Sequence, residues 1–250
     1  MDRERKKRKE NPTDAIADAP CDPRPLTLVD EYIDHARRCE VYRAQIPSHI
    51  VDAFSNILPL VDAPLAQQQQ QQQEHRDVHR RSAVFYSDTA FRCRHRDTEV
   101  SAVPVPRAVA GAIDALAEHL GVPLNSVLVD CCIDGHDAIS PQPIAGGTCV
   151  PQESVVLSVV GDGVAQRALP RYPNCPYIVT LGMGATRTVH LVDSGTGHVV
   201  LAHTVGHGEA VIAAGHTHEH YMCAMPMEPF VRQPHYRLVL CNRAADSPQE

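Results

Sequence analysis

The 250-residue chain has no tryptophan and only 4 phenylalanines and 7 tyrosines. An aromatic core is thereby excluded, and aromatic platforms on which bases of single-stranded nucleic acid could stack are scarce. The 43% apolar content, mostly aliphatic, is still adequate for a buried core. No apolar run approaches the roughly 20 residues needed to span a bilayer, and the first residues are charged where a signal peptide would be apolar. No membrane partner is expected, and the protein is expected inside the cell, in nucleus or cytoplasm. There is no Cys-x-x-Cys pair: the nine cysteines are odd in number, and Cys131-Cys132 is the only close pair. Two adjacent residues of a strand face opposite ways, so these thiols are not expected to bridge, and the cysteines read as reduced and mostly buried. A Gly-x-Ser-x-Gly elbow is also missing, and Gly182-Met-Gly184 lacks the lysine and helix of a phosphate loop.

Charge is unevenly spread. Lys and Arg number 23 against 30 Asp and Glu, a net charge of -7, but residues 1–10 hold six basic and three acidic side chains, leaving 17 and 27 for the rest. A body this acidic repels phosphate except at a local basic patch. One such stretch exists, where Arg76, Arg80, Arg81, Arg92, Arg94, Arg96 and Arg107 outnumber Asp77, Asp88, Asp97 and Glu99. The run Lys6-Lys7-Arg8-Lys9 reads equally as a nuclear-import signal or as a solvated tail.

Residues 1–24 are polar and proline-bearing and read as a disordered basic tail, with 244–250 a second tail. Between them, 25–243 read as one domain. The spacing of Val29, Ile33 and Ala36, and then of Ile50, Phe54 and Leu58, predicts two helices. Residues 61–80 carry the homopolymer Gln67–Gln73, which has nothing to bury and reads as a disordered insertion. Pro106 opens an amphipathic helix with Val109, Ile113, Leu116 and Leu120 on one face, closed by Gly121. After it the period changes to two. Strands are predicted over Ser126–Ile133, Ser154–Val160, Tyr177–Leu181, Thr188–Val192, Val199–Val205, Glu209–Ala213, His220–Met225 and Tyr236–Cys241. Eight short strands without crossover helices exclude a doubly wound sheet and predict a mainly β (α+β) fold, a sandwich or jelly roll with N-terminal helical support.

Four stretches taken in order resemble a known family. Arg81-Ser-Ala-Val-Phe-Tyr86-Ser-Asp88 is similar to a P-R-x-x-A-x-Y-G-D segment, and Asn125-Ser-Val-Leu-Val-Asp130-Cys-Cys132-Ile-Asp-Gly-His-Asp-Ala-Ile139 to N-x-V-L-x-N-x-Y-x-D-G-x-D-x-I. Ile178 to Arg187 is similar to I-x-x-x-S-x-G-x-x-R, and Gly208 through Tyr221 and Pro226 to Arg237-x5-Arg243 is similar to G-x-L-L-x-M…H-x-x-x-P…R-x5-R. The ordered set resembles the AlkB-like Fe(II)/2-oxoglutarate dioxygenases. That resemblance implies a double-stranded β-helix with residues 145–176 as an insertion. In such an enzyme, iron-bound dioxygen oxidises an N-methyl group of a nucleobase.

The departures from the pattern bear on function. Iron in such oxygenases takes two histidines and a carboxylate. The resemblance places these three ligands on Gln142, Ile144 and Cys223, none of the required type, and Ile144 cannot bind a cation. The co-substrate positions fall on Asp130 and Cys132, while Arg237 and Arg243 match the arginine pair. Asp130 would repel an anion, and the two arginines read either as a retained anion site or as a structural pair. Cys223 reads as a small buried hydrophobe before it reads as a ligand for a soft metal. His216, His218 and His220 recur at strand spacing, yet Gly215 and Thr217 favour a solvated turn over a metal site with Cys223. Neither iron nor 2-oxoglutarate is therefore expected, and the expectation is a degenerate member acting as a nucleic-acid-associated binding or scaffold protein. Arg80, Arg81, Tyr86, Arg92, Arg94 and Arg96 would form its contact surface. Two alternatives stand beside it: an active dioxygenase with substitute ligands, and a structural subunit of a protein or ribonucleoprotein assembly.

Overall fold

From Ser126 to Cys132 every residue is buried, and alternate residues enter different cores. Val127, Val129 and Cys131 join one apolar cluster, while Leu128 and Cys132 join another. A strand does this only where both of its faces are covered. The computed structural model describes residues 28–56, 58, 82–87, 92–95, 98–144 and 175–242. The terminal tails, the glutamine run, the predicted strand Ser154–Val160 and Arg80, Arg81, Arg96 and Arg243 lie outside these residues.

The described elements are, in order, β1 (Leu28–Asp34), β2 (Cys39–Gln45), α1 (Ser48–Ser55), β3 (Ser82–Ser87), β4 (Arg92–His95), β5 (Thr98–Ser101), α2 (Arg107–Leu120), β6 (Ser126–Cys132), β7 (Ile139–Pro143), β8 (Ile178–Gly184), β9 (Arg187–Asp193), β10 (Val199–Val205), β11 (Glu209–Gly215), α3 (Thr217–His220), β12 (Tyr221–Met225) and β13 (His235–Cys241). Seven strands form one sheet in the order β1-β2-β11-β8-β13-β6-β3, four form a second in the order β10-β9-β12-β7, and β4 and β5 make a separate hairpin. All the pairings are antiparallel. The fold is mainly β. Among the described residues no helix is long and apolar enough to cross a membrane.

The molecule has three layers. Ile50, Val51 and Phe54 of α1 and Val109, Ile113, Leu116 and Leu120 of α2 pack on the outer face of the large sheet, against Val127, Val129, Val179, Leu181, Leu238 and Leu240. The predicted amphipathic helix is thus in place: Pro106 is its N-cap and Gly121 its C-cap, in the left-handed region at φ 66° that glycine adopts without strain. The other face of the large sheet meets the small sheet through Leu128, Cys132, Val239, Ile139, Leu191, Cys223 and Met225. Cys131 and Cys132 accordingly point into different layers.

One expectation is corrected. The stretch with Val29, Ile33 and Ala36 is a strand followed by a turn, because β1 pairs with β2, from Leu28 opposite Ala44 to Asp34 opposite Cys39. Gln142 lies in strand β7, with Cys223 of β12 as its partner.

Candidate functional site between the sheets

Inward-facing positions are apolar with a few exceptions, and the exceptions cluster. Asp130 of β6 and Arg237 of β13 are Cα partners in the antiparallel register. Both are almost completely buried, at 1% and 2% exposure. Arg237 donates from Nη2 to Asp130 Oδ2 at 2.5 Å and from Nε to the same oxygen at 3.1 Å. Its Nη1 crosses to the small sheet and donates to Cys223 Sγ at 3.3 Å. Burial works against the guanidinium charge, but the Asp130 carboxylate outweighs it and holds the pKa above the usual arginine value. Burial also pushes the Cys223 thiol up, with Arg237 opposing, so this sulfur rests as a neutral thiol.

Beside this cluster lies a cavity of about 30 Å³, bordered by Cys223, Ile144, Thr180, Leu191 and His203 among others. The space is enough for water, not for a substrate. Gln142 is half-buried, and Ile144, two residues on, is buried against the same core as Cys223. Gln142, Ile144 and Cys223, the positions at which the resemblance would put iron ligands, therefore meet in one place, together with Asp130 and Arg237. Cys132 lies in the same layer, at 0% exposure.

His216, His218 and His220 stand elsewhere, on α3 and the residue before it. They are half-buried rather than solvated, and Thr217, at 1% exposure, pins the turn by donating to Ala214 O and accepting from Glu40 N–H. Burial depresses the His218 pKa. Among the described residues no three His, Cys, Asp or Glu side chains are grouped to hold a metal.

Several buried polar residues were not singled out from the sequence. Arg187, fully buried, donates to Glu228 Oε2 (2.7 Å) and to the carbonyls of Asp134, Asp137 and Pro226, tying the β6–β7 turn to the β12–β13 connection. At the opposite end, Tyr221 donates to Asp34 Oδ2 at 2.9 Å and Arg37 donates to Asp193, clasping the β1–β2 turn to the small sheet. A sequence signal was present for Arg187, the last residue of the third motif, and for Tyr221 in the fourth. In comparisons with known proteins, no family model and no curated protein matches this chain.

Proposed function

We propose that the chain is an AlkB-like double-stranded β-helix protein in which an internal ion pair has replaced iron and 2-oxoglutarate chemistry, and that it acts as a nucleic-acid-associated binding or scaffold protein. The strand order supports the fold. From β6 to β13 the chain crosses between the sheets at every step except the β9–β10 hairpin, giving β11-β8-β13-β6 facing β10-β9-β12-β7 with first and last strands paired, as a jelly roll requires.

The single observation that carries the loss of chemistry is Asp130 against Arg237. A co-substrate carboxylate needs an arginine able to receive it, and Arg237 already holds a carboxylate from its own chain. Iron needs anionic or imidazole donors, whereas Gln142 offers a neutral amide, Ile144 nothing, and Cys223 a buried thiol facing a guanidinium whose charge opposes a cation. The residues present do not fit the iron and co-substrate pair.

Nucleic acid is the partner favoured by charge. In the β4–β5 hairpin, Arg92 is the register partner of Ser101 and Arg94 that of Glu99, so one of these two arginine positions has a carboxylate residue opposite it. With little aromatic surface to stack on, affinity would be chiefly electrostatic. A filter-binding titration of the full chain with short single- and double-stranded DNA and RNA tests this reading. Retention at low salt that falls steeply as salt rises is expected; no retention of any of the four would overturn it in favour of a protein-assembly subunit. Iron-dependent decarboxylation of 2-oxoglutarate by the unmodified chain would overturn the loss of chemistry.

A further inference from the structure

The histidine-bearing turn holds an arrangement that the proposed function does not use. Cys175, just before β8, has its Sγ 3.7 Å from Nε2 of His216, and Nδ1 of the same ring lies 3.1 Å from Glu219 Oε1. The turn that carries the imidazole is fixed by its backbone. His216 N–H donates to the carbonyl of Arg38 at 3.1 Å, and Thr217 is anchored on Glu40 and Ala214. One ring nitrogen therefore faces a carboxylate and the other a thiol, which is the arrangement of nucleophile, base and orienting group.

Other described cysteines are turned toward different partners. Cys39 donates to the carbonyl of Arg37, Cys223 faces Arg237, and Cys241 lies beside Ser126. Access also selects the reagent. Cys175 is 4% exposed, while the His216 side chain is one-third exposed and that of Glu219 half exposed, so the sulfur sits just beneath a surface imidazole and admits only a small molecule. Burial raises the pKa of the Cys175 thiol, Glu219 adds to this and Arg38 opposes it. A base must then remove the proton during the reaction.

We propose that Cys175 is a peroxide-reactive thiol, with His216 as its base and Glu219 as a positioning residue. In the step, Sγ attacks one oxygen of hydrogen peroxide as His216 Nε2 takes the thiol proton. The O–O bond breaks, and the departing hydroxide recovers that proton from the imidazolium and leaves as water. Sulfur is oxidised to sulfenic acid and the peroxide is reduced. Glu219, which also neighbours His218 and His220, holds the ring with Nε2 toward the sulfur.

The test treats the folded full chain with hydrogen peroxide, quenches it in denaturant containing dimedone, and quantifies each cysteine by peptide mass spectrometry. Cys175 is expected to be trapped about tenfold faster than Cys39, Cys131, Cys132, Cys223 or Cys241, and His216→Gln to slow it about 10²-fold, the lower end of general-base effects, at unchanged melting temperature. Glu219→Gln, at a half-exposed position, decides the matter if His216→Gln fails to fold: a slower Cys175 with a shifted pH profile is expected. Cys175 reacting no faster than the other five, or a rate indifferent to both substitutions, would overturn the proposal. None of these outcomes depends on nucleic-acid binding.

Discussion

Asp130 and Arg237 sit 107 residues apart in sequence and directly opposite one another in the large sheet, joined by two hydrogen bonds and sealed from solvent. The third arm of the guanidinium reaches Cys223 and so links the two sheets through a single side chain. A buried pair of this kind is seldom a net gain over apolar residues of similar volume, but removing one member leaves an uncompensated charge.

Substituting Arg237→Met should therefore cost about 3–5 kcal/mol, because Asp130 is left charged in an apolar layer. The double substitution Asp130→Leu with Arg237→Met should recover most of that loss. Urea denaturation of the three chains checks this, and a single variant within about 1 kcal/mol of the parent would show that the pair is hydrated in solution.

His235 gives the protein an acid sensitivity. Its Nδ1 donates to the carbonyl of Ala185 at 2.6 Å, its Nε2 is buried with no hydrogen-bond partner among the described residues, and burial depresses its pKa to about 4. The folded state thus binds the proton less readily than the unfolded chain, whose histidine titrates near 6.5. The contribution is whole above pH 6.5 and is lost as pH falls toward 4, amounting to about 3 kcal/mol across that window. His235→Asn, which keeps a donor for Ala185 and does not titrate, should flatten the stability profile between pH 4.5 and 6.5 in urea titrations. An unchanged slope would place the acid sensitivity elsewhere.

Two glycines should respond oppositely to the same substitution. A Cβ on Gly135 would lie 1.6 Å from the Glu228 carbonyl oxygen, whereas one on Gly111 of α2 meets nothing within 4 Å. Gly135 also exchanges backbone hydrogen bonds with Glu228 and Val231, on the loop that Arg187 secures. Gly135→Ala should cost at least about 2 kcal/mol, and Gly111→Ala should stabilise by about 0.5–1 kcal/mol by raising helix propensity. Thermal melts distinguish the two directly.

Much of this architecture was legible because its period was local. The alternation after Gly121 located seven of the predicted strands, and the four-three-four spacing of Val109, Ile113, Leu116 and Leu120 located α2. The N-terminal misreading has a physical cause. Val29, Ile33 and Ala36 fit a helical repeat by coincidence, and it is pairing with β2 that makes the first of these stretches extended. Strand β7 escaped notice because Pro141 and Pro143 argue against a strand, yet it lies at the edge of the small sheet, where prolines are tolerated. Gln142, Ile144, Cys223, Asp130 and Arg237 could each be named from the motifs. Their convergence could not be seen, since it depends on register between strands far apart in sequence. The bond between Cys175 and His216 was illegible for the same reason.

The convergence itself can be tested by restoring ligands. Gln142 and Cys223 are Cα partners on neighbouring strands, and Ile144, in the turn that follows β7, is buried in the same core as Cys223. Together, Gln142→His, Ile144→Asp and Cys223→His would place two imidazoles and a carboxylate around one point, the donor set of a non-haem iron site. The carboxylate that replaces the Ile144 side chain would also offset the Arg237 guanidinium that now opposes a cation. Anaerobic Fe(II) titration of the triple variant should show binding of about one ion per chain, where the parent chain shows none; the affinity should fall below about pH 6.5 as the imidazoles protonate. A folded triple variant that takes up no iron would mean that these three positions do not share a face, and the strand register proposed for the double-stranded β-helix would have to be abandoned.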